Sequence, residues 1–234
     1  MKRQKTEKEN NHQHTLFWFI LIALSIIQSA ALFLVCRKLP ARVPVHFNYA
    51  MKVDRYGSPW ELCIVSVLTP LLFIMRPLIN RRFSQNPANI KIQDGVILFA
   101  GTFIAALAWW TVVLAFQPVE EQTRIAVKQL PFFIYVILGI FTVVFGNYEG
   151  TIKPNKTIGI RVPWTLADNE NWRKTHCFAA PLCVAAGIIL LGGGISVLCT
   201  QQMIWYLISM AVYIILTTIA PVVYSYVLSR KMRT

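Results

Sequence analysis

The sequence predicts an all-α integral membrane protein with six transmembrane helices, a structured extracytoplasmic first loop and a structured cytoplasmic fourth loop. Composition, apolar run length and charge placement carry that expectation. Hydrophobic residues make up 56% of the 234 and charged residues only 14%. Soluble domains sit nearer 45–50% and about 25%, and the mean hydropathy here is +0.52. Lipid is therefore the main solvent of the side chains. The net charge of +13 would suggest nucleic acid in a soluble protein. Here the basic residues gather in loops and tails, where anionic headgroups account for them without nucleic-acid binding.

Six segments are long enough for a hydrocarbon core, which takes about 20 apolar residues. They are 16–36, 60–79, 95–116, 130–146, 178–199 and 203–228. The first is too long for a secretory h-region and lacks a small-residue cleavage site, so it reads as an uncleaved helix. Within the spans the formal charges are Glu61, near an end, and Arg76, placed to snorkel to the headgroups. Pro118 follows the third span, Pro131 opens the fourth, and Pro181 falls in the first turn of the fifth, where a missing N–H costs little. Pro70, Pro77 and Pro221 lie deeper and predict kinks. Gly192, Gly193 and Gly194, like the pair Ser25 and Ser29, allow close helix approach. Trp18, Trp60 and Trp205 lie near span ends, while Trp109 and Trp110 lie deeper, where they pack between helices.

Lys and Arg counts set the orientation. The N-terminal tail, the second loop with Arg76, the fourth loop and the C-terminal tail hold sixteen, against seven on the opposite side. The excess places both termini and the fourth loop in the cytoplasm. The chain then divides into a basic tail (1–15), a first helix pair with its outer loop (16–92), a four-helix region (93–229) holding a cytoplasmic loop over 147–177, and a short tail (230–234).

Reactive groups are sparse. Cys36, Cys63, Cys177, Cys183 and Cys199 form no CxxC. Cys36 and Cys63 share the outer face, so a disulfide is one reading, and small apolar packing residues are the other. His12, His14, His46 and His176 cannot assemble a metal site, and no cofactor motif is present. Without a nucleophile–base pair or convergent ligands, the sequence points away from an enzyme.

Both structured loops carry a pattern. In the first, Pro40 and Pro44 stiffen the chain, Val43, Val45 and Phe47 alternate as in a strand, and Asn48, Asp54 and Gly57 supply turn chemistry. His46, with no carboxylate at metal spacing, reads as a structural hydrogen-bonder; a binding role is the alternative. In the fourth, Gly150, Pro154, Asn155 and Gly159 break regular structure, and Ile158–Val162 runs extended into Pro163. Thr165 and Asp168 match a capping box, so a helix is expected from about Leu166, carrying Trp172 and His176. Trp164, Trp172, Arg161, Arg173 and Lys174 also suit an anchor at headgroup depth.

These two loops resemble the SdpI family of bacterial membrane proteins. The first-loop residues are Pro40, Pro44, His46, Phe47, Asn48, Asp54, Gly57 and Ser58, with Met51 where the family has Gly. The fourth-loop residues are Asn147, Gly150, Pro154, Asn155, Gly159-Ile160-Arg161-Val162-Pro163-Trp164-Thr165-Leu166, Trp172, Thr175 and His176. Val162 replaces Thr, Cys177 replaces Arg, and Ala179-Ala180 stand where glycines are common. Met is poor at positive φ, so either the turn differs at Met51 or the family's Gly is not needed for φ. The resemblance implies immunity to a secreted toxic peptide met at the outer face or within the membrane, and signalling by holding a small cytoplasmic repressor at the membrane. It assigns His46, Asn48, Asp54, Asn155, Arg161, Trp164, Trp172 and His176 to toxin or partner binding, with membrane lipids as the surrounding partner. A permease handling lipids or small molecules through an uncharged path is the rival reading, since ion-coupled transport calls for intramembrane charges that are nearly lacking.

Overall fold

The computed structural model describes residues 2–83, 86–155, 157–200 and 202–231. In chain order the elements are α1 (Lys2–Cys36), a hairpin of β1 (Val43–Phe47) and β2 (Val53–Gly57), α2 (Pro59–Phe83), α3 (Pro87–Ala115), α4 (Val119–Glu149), α5 (Pro163–Ala167), α6 (Asn169–Thr200), α7 (Met203–Ile214), a π-helical turn (Ile215–Ile219) and α8 (Ala220–Lys231). Among the described residues, six helical stretches are long and apolar enough to cross a membrane: Gln13–Cys36, Pro59–Arg82, Pro87–Ala115, Val119–Glu149, Asn169–Thr200 and Ile204–Lys231. All six expected spans are present, and all but the last begin earlier than their apolar runs. Polar residues continue a helix beyond the lipid because its hydrogen bonds are internal.

That lengthening corrects two proline assignments. Pro131 and Pro181 lie inside α4 and α6, not in their first turns. Pro70 and Pro77 are interior to α2 as expected. Pro221 follows directly on the π turn, where the Ala220 N–H donates to the Ile215 carbonyl five residues back. A proline ring collides with the carbonyl four residues before it, and the wider π turn lets that carbonyl move aside.

The chain folds as two compact units. One holds 2–49, 53–77 and 97–122; the other holds 50–52, 78–96 and 123–231. In the first, Leu32, Cys36, Val43, Leu62, Ala108, Val112 and Ala115 form one buried cluster. The hairpin is thus seated on the ends of α1, α2 and α3. Ser29 on α1 donates to the Ser66 carbonyl of α2 at 3.0 Å, so Ser29 does mark a close helix approach, while Ser25 bonds back to the Ile22 carbonyl of its own helix. The Trp109 indole N–H donates to Gln28 of α1 at 2.9 Å, between helices as expected, while Trp110 lies 5.6 Å from the Phe47 ring of β1. The Arg76 guanidinium lies over Trp18 at 4.4 Å.

The second unit is organised by α6. Its buried side chains include Trp172, His176, Ala179, Cys183, Ala186, Leu190, Gly193 and Val197. The spacing alternates four and three, a 3.5-residue period that keeps one seam facing its neighbours. Small residues on that seam let backbones meet. A Cβ on Gly187 would lie 2.7 Å from the Gly139 carbonyl oxygen of α4. One on Gly193 would strike Ser209 of α7, whereas Gly192 faces open space. Gly193 and Gly194 therefore act as expected, and Gly139–Gly187 is a backbone-to-backbone approach that the sequence did not announce.

Candidate functional sites

The first-loop hairpin pairs antiparallel, with Val43 opposite Gly57 and Phe47 opposite Val53. Val43 is buried under it, as the apolar alternation predicts. The turn bends at Met51, whose φ is 58°. Met therefore adopts the left-handed conformation, a strained choice for a residue with a side chain. Cross-strand geometry brings His46 Nδ1 to 2.6 Å from Asp54 Oδ1, so His46 does have a carboxylate partner, eight residues away. The two side chains are 61% and 39% exposed, which leaves the pair open to a ligand. Arg55 pairs with Glu61 at 3.1 Å, pinning β2 to the start of α2. All five cysteines are free, and the Cys36 thiol donates to the Pro59 carbonyl at 3.3 Å.

The fourth loop is held by side chains bonded to backbone. Asn89 on α3 clamps Lys153, donating to its carbonyl at 3.0 Å and accepting its N–H at 2.9 Å. Asn155 accepts the N–H groups of Thr157 and Ile158 and donates to the carbonyls of Lys153 and Ile158. Its amide is fully engaged in shaping the turn. At Gly159 the backbone turns to φ +110°, and a Cβ there would run into the His176 ring. That close approach lets the Ile160 N–H donate to His176 Nε2 at 3.0 Å. The other ring nitrogen, Nδ1, meets the Trp172 carbonyl at 2.8 Å and donates to it. The imidazole is thus a neutral bridge between loop and helix, wholly buried. It has no free nitrogen with which to act as a base.

Thr165 accepts the Val162 N–H at 3.1 Å and donates to the Ile160 carbonyl at 2.7 Å. It closes the first turn of α5, where Pro163 needs no N–H partner. The cap of the long helix is Asp168, whose Oδ1 accepts the Asn171 N–H at 2.7 Å. The expected helix from Leu166 is therefore two pieces, with α6 beginning at Asn169. Trp164 donates to the Ser225 hydroxyl at 2.8 Å, and Asn171 donates to the Ser225 carbonyl at 3.0 Å. Trp172 donates to the Ile152 carbonyl at 2.8 Å and packs with Ile92 and Ile152. Its ring stacks on His176 at 4.2 Å.

Of the expected fourth-loop site residues, Trp172 and His176 are internal, Trp164 is half-buried, and Asn155 is fixed by its turn. Arg161, Leu166 and Arg173 are all exposed. Sequence reasoning missed Asn89, Asn171, Ser225 and Glu149. Asn89, Asn171 and Glu149 are polar residues near helix ends, a signal that was readable, but Asn89, Asn171 and Ser225 meet partners 54 to 64 residues away, which only the fold brings together. Glu149 is 3% exposed, and its Oε2 has no partner among the described residues. Among those residues no group of three or more His, Cys, Asp or Glu side chains could hold a metal ion.

Six lipid-crossing helices and two ordered loops, one a hairpin and one bound internally, define a polytopic α-helical membrane protein. Residues 151–225 match the SdpI/YfhL protein family, and residues 20–69 match a domain of unknown function, DUF1648. The chain is 23% identical over 172 residues to the immunity protein SdpI of Bacillus subtilis (strain 168), covering 73% of this chain and 76% of that relative. No solved structure matches. The resemblance to the SdpI family is therefore borne out, with the family match itself falling on 151–225.

Proposed function

We propose that this protein confers immunity on its producing cell against a secreted, membrane-active peptide. One observation carries the reading: the similarity to an immunity protein runs through 73% of the chain. The hairpin with the exposed His46–Asp54 pair is the surface that meets the peptide, at the outer face. Asn48 flanks that pair. The fourth loop faces the cytoplasm, where Arg161, Leu166 and Arg173 offer charge and apolar area to a small repressor held at the membrane. Trp172, His176 and Asn155 serve that surface indirectly, by holding its backbone in place. Trp164 contributes one ring edge while tied to Ser225.

The test is a division of labour between loops. Asp54→Ala and Asn48→Ala are expected to lower survival of peptide-challenged cells about fivefold or more, the weight of an interface contact worth about 1 kcal/mol. Arg161→Ala is expected to leave survival intact and to reduce capture of the repressor at the membrane. Trp164→Ala is less clean, since it also removes a bond to Ser225. Equal loss of both readouts in parallel with membrane abundance, for all these variants, would show that the loops are only structural.

A further inference from the structure

Between the first turns of α3 and the last turns of α4 runs a groove of about 270 Å³. Ile92, Val96, Val144 and the ring pair Phe141–Phe145 make its walls, the rings stacked at 5.7 Å. Lys91 and Tyr148 line it where the two helices end, both exposed. Gly95 forms part of its floor, and a Cβ there would meet nothing within 4 Å. Glycine inside a helix costs about 1 kcal/mol relative to alanine. At Gly139, Gly187 and Gly193 a packed neighbour accounts for that cost. At Gly95 no protein atom does, and the residue instead deepens the groove.

The placement of charge indicates the occupant. Lys91 lies one turn inside the start of α3 and Tyr148 one residue before the end of α4, at the depth of lipid headgroups. From Tyr148 to Phe141 the groove extends inward by seven residues, about 10 Å at 1.5 Å per residue. One leaflet of hydrocarbon is about 15 Å thick. The groove is thus apolar over most of a leaflet and cationic at its mouth. Basic pockets between transmembrane helices suit anionic headgroups, and a lone apolar groove without the lysine would not discriminate among lipids.

We infer that this groove is a binding site for one anionic glycerophospholipid, with an acyl chain lying over Gly95 between α3 and α4 and the phosphate at Lys91. Bound there, the lipid stiffens the α3 segment whose Asn89 clamps the fourth loop at Lys153. The site is independent of the immunity reading.

The full-length protein in a mild detergent, titrated with dioleoyl phosphatidylglycerol or dioleoyl phosphatidylcholine and read by native mass spectrometry, tests this. The wild type is expected to retain one phosphatidylglycerol in preference to phosphatidylcholine. Lys91→Gln is expected to reduce that preference about fivefold, since one lysine near a surface contributes about 1 kcal/mol. Gly95→Leu fills the groove and is expected to abolish retention of either lipid, whereas Gly192→Leu, also in open space, is expected to change nothing. Equal retention of the two lipids by the wild type would overturn the proposal. So would wild-type retention in Gly95→Leu, which would mark a general lipid belt, or a wild-type dimer lost in Gly95→Leu, which would make the occupant a second copy. Lys91 is a surface residue, so its variant remains informative even if Gly95→Leu accumulates poorly.

Discussion

At His176 a residue that looked like a candidate contact proves to be a fastener. Both ring nitrogens engage backbone groups, and Gly159 is the only residue type that lets the loop come close enough. Gly159→Ala is therefore expected to destabilise the protein by about 1–3 kcal/mol, combining strain at φ +110° with a steric conflict. Thermal unfolding in detergent measures it, and an unchanged midpoint would contradict the role given to His176. His176→Ala leaves the half-buried Ile160 N–H without its acceptor, which is expected to cost about 1 kcal/mol or more. The two changes break one junction, so the double variant is expected to lose less than the sum. The hairpin differs. His46 and Asp54 are exposed enough that breaking their pair is expected to cost at most about 1 kcal/mol of stability. An effect of Asp54→Ala on protection therefore reads as loss of contact, not of fold.

Among the elements, α6 decides how the second unit packs. Gly187→Ala places a methyl 2.7 Å from the Gly139 carbonyl and is expected to cost about 1–3 kcal/mol by overpacking. Gly192→Ala meets nothing and is expected to gain up to about 1 kcal/mol from helix propensity. Equal effects of the two, measured by thermal unfolding, would contradict the seam. These elements were unequally legible in the sequence. The six spans were readable because a 20-residue apolar run has few other solutions, and the hairpin strand because Val43, Val45 and Phe47 alternate. Helix ends were less so: the helix expected from Leu166 through His176 is present, but it is broken at Asp168, whose side chain caps α6. The loop motif could be seen, but not that Trp172 and His176 face inward. That depends on Ile152, Ile160 and Asn89, brought to them by the fold. The π turn was signalled only by Pro221. By adding a residue to the helix, it turns Ser225 by about 100° relative to α7, toward Trp164 and Asn171.

For the molecule as a whole, the charge count gives an orientation that a reporter can check. A fusion at Asn169 or after Thr234 is expected to be active in the cytoplasm, and one at Lys52 only outside. Cytoplasmic labelling of a cysteine introduced at Lys52 would reverse the orientation and, with it, the roles of the two loops. The central claim is protection, and it rests on the likeness to an immunity protein together with a scaffold whose buried histidine is already fully bonded. The most direct measurement follows membrane potential and survival in sensitive cells given a purified membrane-active peptide of the cognate class, with and without this protein at matched membrane levels. Immunity predicts that expressing cells hold their potential and survive where control cells depolarise and die. Identical depolarisation and death in both, across several related peptides, would contradict the account.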